Sequence, residues 1–180
     1  MTPNETIFKG GAFRPDPWQR RDAVDDGQQD RAILPLDVWR TVRARNEYRA
    51  GSTGVELVAE AVDDAELPLL ARVALVVVRL PKFTDGRAYS LARRLRDTHG
   101  FSGELRAAGD VLLDQIALLE RCGFDSFAIT HAPTLRFLSA SGASPPSLAT
   151  AYQVTAEART SEAERMPRIR PSLERRRRAG

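Results

Sequence analysis

The chain is poor in the residues that build covalent and metal frameworks. Its one cysteine, Cys122, forbids an internal disulfide, and one thiol cannot hold an iron–sulfur cluster. Its two histidines, His99 and His131, lie too far from each other and from Cys122 to promise a zinc site. No intrinsic metal or iron–sulfur site is expected, and the residues name no other cofactor. Long apolar runs are also missing. The longest, Val73-Ala-Leu-Val-Val-Val78, is far shorter than a bilayer-spanning helix. Met1 to Gly11 contains no basic stretch followed by an apolar one, so no secretory signal is expected. These features together point to a cytoplasmic protein that does not insert into a membrane. The phosphate loops GxGxxG and GxxxxGK[ST] are absent, as is a GxSxG nucleophile elbow.

What is present suffices for one folded domain. Of 180 residues, 42% are hydrophobic, enough for a core, while a mean hydropathy of -0.35 marks a chain that is polar overall. The net charge of +3 is unevenly placed. Arg159 to Gly180 carries eight Arg and three Glu, leaving 19 basic and 21 acidic residues elsewhere. The basicity therefore belongs to a tail, 159–180, read as disordered. Such a tail could hold a phosphate backbone loosely, but no aromatic residue interrupts it to stack a base, which favours a solvated end. Residues 1–30 read as a flexible segment with Trp18 as an anchor, and 31–158 as a single α/β domain.

Short β-rich runs alternate with helical patterns across that domain. Gly54–Ala59, Val73–Leu80, Gly103–Ala108 and Phe124–Thr130 read as strands. Asp63 to Leu70, Tyr89 to His99, Asp110 to Cys122 and Ala132 to Ala140 read as helices, with a last one over Leu148–Ala158. Ile33 to Trp39 begins the apolar patterning, but Pro35 argues against a long regular element there. About four βα units require a parallel sheet, either part of a β/α barrel or a small doubly wound sheet. A half-barrel would leave two sheet edges open, to be closed by a homodimer or by the N-terminal segment. Cys122 falls where a small buried group belongs, with a reactive thiol as the alternative.

In parallel α/β folds, loops after the carboxyl ends of strands converge on one rim. Lys82, Asp85, Gly86 and Arg87 follow one strand, Arg106, Gly109 and Asp110 another, and Thr130 and His131 a third. Lys82, Arg87 and Arg106 would supply positive charge for a small oxyanion. Asp85 and Asp110 could cap helices, orient an arginine or move a proton, and His131 could carry a proton or simply hold its loop.

Pro81-Lys-Phe-Thr-Asp-Gly-Arg-Ala-Tyr-Ser-Leu-Ala-Arg-Arg-Leu-Arg96, Gly103-Glu-Leu-Arg-Ala-Ala-Gly-Asp-Val-Leu-Leu-Asp-Gln115 and Arg121-Cys-Gly-Phe-Asp-Ser-Phe127 resemble, in that order, the signature of the bacterial DUF934 family. The similarity runs from about Leu34 to Gln153, and Leu80 stands where the family commonly has Phe. Lys82, Asp85, Gly86, Arg87, Arg106, Gly109, Asp110, Asp114 and Gln115 match the family pattern, as do Arg121 and Asp125, which could tie a helix to the next strand. The resemblance implies a link to assimilatory sulfite reduction, with members described as oxidoreductases or accessory proteins. An accessory protein that binds a small oxyanion or a reductase partner is the leading expectation. A β/α-class enzyme acting on a small anion, including an oxidoreductase, is the alternative, and a nucleic-acid binder using its tail is the third.

Overall fold

The computed structural model describes residues 6–22, 31–45, 47, 49–81 and 86–141. The expected loop at 139–147, from residue 142 onward, the helix over 148–158 and the Arg-rich tail lie outside them. Five parallel strands form the centre: β4 (Ala32–Pro35), β5 (Thr53–Val58), β6 (Leu75–Leu80), β7 (Glu104–Gly109) and β8 (Ser126–Ile129). Their helices are α1 (Leu36–Ala44), α2 (Leu67–Leu70), α3 (Arg87–Arg93), α4 (Leu113–Arg121) and α5 (Ala132–Ser141). Three further strands come from the N-terminal segment, β1 (Thr6–Lys9), β2 (Ala12–Pro15) and β3 (Gln19–Arg20). The eight make one mixed sheet in the order β2-β1-β8-β7-β6-β5-β4-β3.

The four expected strands are present with boundaries moved by one or two residues, and a helix follows each. α2 keeps only the end of the span read from Asp63, α4 starts at Leu113 and not Asp110, and α3 passes into a π-helical turn over Arg94–Thr98. A fifth βα unit, β4–α1, joins them. Pro35 does not break it because it sits at the junction, ending β4 and preceding the first residue of α1, where a missing N–H costs nothing. The central strands are neighbours in chain order, so the sheet never reverses direction as a doubly wound sheet must. Right-handed crossovers between such neighbours put every helix on the same face. The core follows this rule. Leu34, Val55, Val76, Val78, Leu105, Ala107 and Phe127 pack with helical Trp39, Leu70, Leu95, Ile116 and Leu119. The alternate residues Ile33, Leu75, Val77 and Ala108 form a separate cluster on the opposite face, with Trp18 against it.

Residues 6–20 depart most from expectation, since a flexible segment was read there. Ile7 and Phe8 are buried, and Gly10 and Gly11 have φ of 59° and 78°. Two consecutive positive φ values at Gly-Gly suit a tight hairpin turn, which joins β1 to β2. Phe8 and Phe13 face each other across it, edge to face at 5.3 Å. The hairpin then pairs antiparallel with β8, and β3 pairs parallel with β4. The N-terminal segment thus covers both edges of the parallel sheet. The new edges are blunted, one by Pro15 and the other by being two residues long.

This connectivity dictates the shape. A flat eight-stranded sheet would hold its outer strands about 34 Å apart. Yet β2 and β3, the two outer strands, are joined by Asp16, Pro17 and Trp18 alone, a link that reaches about 14 Å. The sheet must curl until its edges approach, and it does, into a partially barrel-like form. The helix-free face becomes its inside, and the three-residue strap crosses the gap.

Candidate functional site

The strap is stiffened locally. Pro17 fixes its own φ, and the Trp18 N–H donates to Asp16 Oδ1 at 3.1 Å, closing an Asx turn. From there Asp16 reaches Arg106 on β7. Arg106 Nη1 donates to Oδ2 at 2.6 Å and Nη2 to Oδ1 at 3.0 Å, a bidentate pair. Nη2 also donates to Glu104 Oε1 at 2.9 Å, and Ser126 Oγ donates to the same oxygen at 2.6 Å. Lys9 Nζ donates to Glu104 Oε2 at 2.8 Å. Burial pushes the Glu104 carboxyl up, but its hydrogen bonds from Lys9, Ser126 and Arg106 outweigh this and hold it below the ordinary carboxylate value. Three strands, β1, β7 and β8, and the strap are thereby knotted by one polar cluster, and Arg106 is only 1% exposed.

Beside it, toward the carboxyl ends of the strands, opens a cleft of about 470 Å³. Trp18, Ile33, Val77, Ala108 and Ala128 give it apolar walls. Arg20, Glu56 and Arg79 give it charge, and Gly109 and Thr130 stand at its strand-end side. Glu56 and Arg79 lie on adjacent strands, Glu56 opposite Val77 and Arg79 opposite Val58, so the two are diagonal neighbours on the inner face. Arg79 Nε pairs with Glu56 Oε1, and Arg20 Nη1 donates to both Glu56 oxygens at 3.0 and 2.9 Å. Two guanidinium groups thus share one carboxylate. Gly109 is required where it stands, with φ of 110° and a Cβ position 2.9 Å from the Leu80 carbonyl oxygen. A second hollow of about 430 Å³, lined by Trp18, Arg31, Gly51, Ser52 and Glu104, lies toward the amino ends, so Trp18 divides the interior.

Of the expected rim cations that are described, Arg87 and Arg106 do not come together: one is exposed on α3 and the other buried on the inner face of the sheet. Lys82 and Asp85 fall outside the described residues. Gly86 precedes α3, and Arg87 opens that helix and pairs with Glu60 in the loop after β5 at 2.9 Å. Arg106 is not in a loop, because β7 runs on to Gly109 and period-two alternation turns its side chain inward. Asp110 follows β7 but does not cap α4; the Gln115 side chain does, with its Oε1 accepting from the Leu112 N–H at 3.1 Å. His131 precedes α5, where its Nδ1 accepts from the Thr134 N–H at 3.3 Å and lies 2.8 Å from the Thr134 hydroxyl. Asp114 is exposed in the first turn of α4 and Arg121 in its last.

Asp125 does tie a helix to the next strand, through Arg96 and not Arg121. Its Oδ2 accepts from Arg96 at 2.5 Å and from the Leu105 N–H at 2.7 Å. Arg96 also donates to the carbonyls of Phe101, Gly103 and Gly123. Burial pushes the Cys122 thiol up, away from the reactive thiolate. Asp16, Arg20, Glu56 and Arg79 were not foreseen, although Glu56 and Arg79 carried a signal. Each is a lone charge, of opposite sign, inside an otherwise apolar strand.

Among the described residues, no group of three or more His, Cys, Asp or Glu side chains could hold a metal ion. No helix among them is long and apolar enough to cross a membrane. Fold and site define a class: a β/α protein whose curled sheet keeps a charged, partly apolar cleft on its inner face. Within that class, residues 54–162 match the model of a bacterial protein of unknown function, DUF934, and the chain belongs to this family. No curated protein and no solved structure gives a significant match.

Proposed function

We propose that the chain is an accessory protein of assimilatory sulfite reduction that works by binding, and that the cleft between Trp18 and Arg79 is its binding site. The pathway rests on the signature from Pro81 to Phe127. The observation that favours binding over turnover is how His131, the histidine among the acid–base candidates, is engaged: it is held at the start of α5 by Thr134. Arg106, the expected anion holder, is likewise locked to Asp16 and Glu104. The cleft, by contrast, keeps exposed guanidinium groups beside apolar walls, which suits recognition. A strain lacking the gene should grow poorly on sulfate and normally on cysteine, and the intact chain should copurify with a reductase of that pathway. Restoration by wild type but not by Arg79→Met would assign the defect to the cleft. Normal growth on sulfate without the gene would end the proposal.

A further inference from the structure

The size, walls and unfilled donors of the cleft point to a narrower ligand class, and this inference deepens the binding reading above and rests on it. We infer that the cleft takes a small organic anion, in which one carboxylate, sulfonate or phosphate group is attached to a compact apolar or aromatic body.

Three observations carry this. The first is charge. Arg20 and Arg79 both lean on Glu56, whose side chain is 11% exposed, while theirs remain 43% and 54% exposed. Arg20 has one other carboxylate near it, Asp22 at 3.6 Å and largely in solvent, where an ion pair contributes little. The second is donor count. Arg79 meets Glu56 through Nε, and its two terminal nitrogens make no hydrogen bond among the described residues. Arg20 spends Nη1 on Glu56 and leaves Nη2 without a hydrogen bond among them. A guanidinium offers five N–H groups, so the pair presents more donors than Glu56 can accept. An oxyanion group fits that surplus, whereas a cation would meet only Glu56 and Asp16, both already paired with guanidinium groups.

The third observation decides between a bare ion and a larger molecule. At about 470 Å³ the cleft lies within the range of pockets that hold small organic ligands. A four- or five-atom oxyanion would leave Trp18 and Ala128, the half-buried apolar residues of the lining, facing water. A flat body laid against these two side chains would bury them over the floor of Ile33, Val77 and Ala108, while its charged end meets Arg79 and Arg20. Arg106 takes no direct part, since its donors are directed at Asp16, Glu104 and Ser126.

Calorimetric titration of the full chain with benzenesulfonate, inorganic sulfate and neutral benzenesulfonamide tests the inference. Benzenesulfonate should bind at least about tenfold more tightly than either of the others, the scale of one charge-assisted contact. Arg79→Met should weaken benzenesulfonate about tenfold, and Ala128→Leu, which fills space against the body, should weaken it while sparing sulfate. Arg87→Met, outside the cleft, should change nothing. Circular dichroism identifies any variant that fails to fold, and the two cleft variants act through different walls. Equal affinity for sulfate would overturn the need for a body, and equal affinity for benzenesulfonamide the need for a charge. Absence of binding at millimolar concentration, or full affinity in Arg79→Met, would overturn the inference outright. The titration is independent of growth: binding beside normal sulfate-dependent growth would strike the pathway reading alone. A growth defect without binding would strike this ligand class alone.

Discussion

Asp16 and Arg106, 90 residues apart in sequence, form a two-pronged ion pair at 2.6 and 3.0 Å on the inner face of the sheet. Their side chains are 9% and 2% exposed. Removing one partner of such a pair strands the other in a poor solvent, at a cost of about 3–5 kcal/mol. Asp16→Ala should therefore lower the unfolding free energy by about 3 kcal/mol in urea titrations, more than any surface aspartate. The double variant Asp16→Ala/Arg106→Met should lose less than the two single losses combined. Strict additivity would mean that the two residues stabilise the fold independently.

Glu104 and Glu66 set the response to acid. Both carboxyls sit below the ordinary value, Glu104 because Lys9, Ser126 and Arg106 outweigh its burial, and Glu66 because of its hydrogen bonds from Arg40 at 2.7 Å. A depressed folded-state pKa stabilises fully above the unfolded value, near 4.5 for these groups, and the contribution disappears as pH falls through the folded value. Stability measured from pH 6 downward should decline below about pH 4.5. Glu66→Gln should flatten that decline, and an unchanged acid limb would remove Glu66 from it.

Gly109→Ala should destabilise by about 1–3 kcal/mol, since its φ of 110° and its closeness to the Leu80 carbonyl both exclude a side chain. Gly86→Ala offers the comparison, with ordinary φ and open space around it. A Gly109→Ala protein as stable as wild type would show that the strand end relaxes without cost.

Cys122 should react slowly with iodoacetamide at neutral pH, because burial raises its thiol pKa and keeps the thiolate scarce. The rate should climb more steeply above pH 9 than that of a free thiol. Fast alkylation at pH 7 would contradict the burial that holds the proton.

Much of the fold could be read in the residues because local pattern and tertiary placement agree. The run at Val73–Val78 is buried on both faces and reads as such, and Gly123 follows α4 with the positive φ that ends a helix. The N-terminal strands escaped notice for a physical reason. β2 and β3 are largely exposed, so they carry little hydrophobic alternation, and they exist because a neighbouring strand offers them hydrogen bonds. Gly10-Gly11 between Ile7-Phe8 and Phe13 was the readable sign of the hairpin. Arg106 left the expected rim for another reason. It stood inside the strand read over Gly103–Ala108, where period-two alternation turns a side chain to one face of the sheet, here the inner one. Partners across 90 residues leave no local trace, so Asp16 could not be foreseen.

The pairing of β1 with β8 has a consequence for biosynthesis. Strand β1 can pair with β2 at once, but it finds its other neighbour only after Phe127 has emerged, since Phe8 is its partner in the ladder. Until then the hairpin has no sheet to join, and Ile7 and Phe8 lack most of the packing that buries them. Closure by Asp16 and Arg106 is for the same reason a late event in synthesis, and a nascent chain halted before β8 would leave its opening hairpin unclaimed.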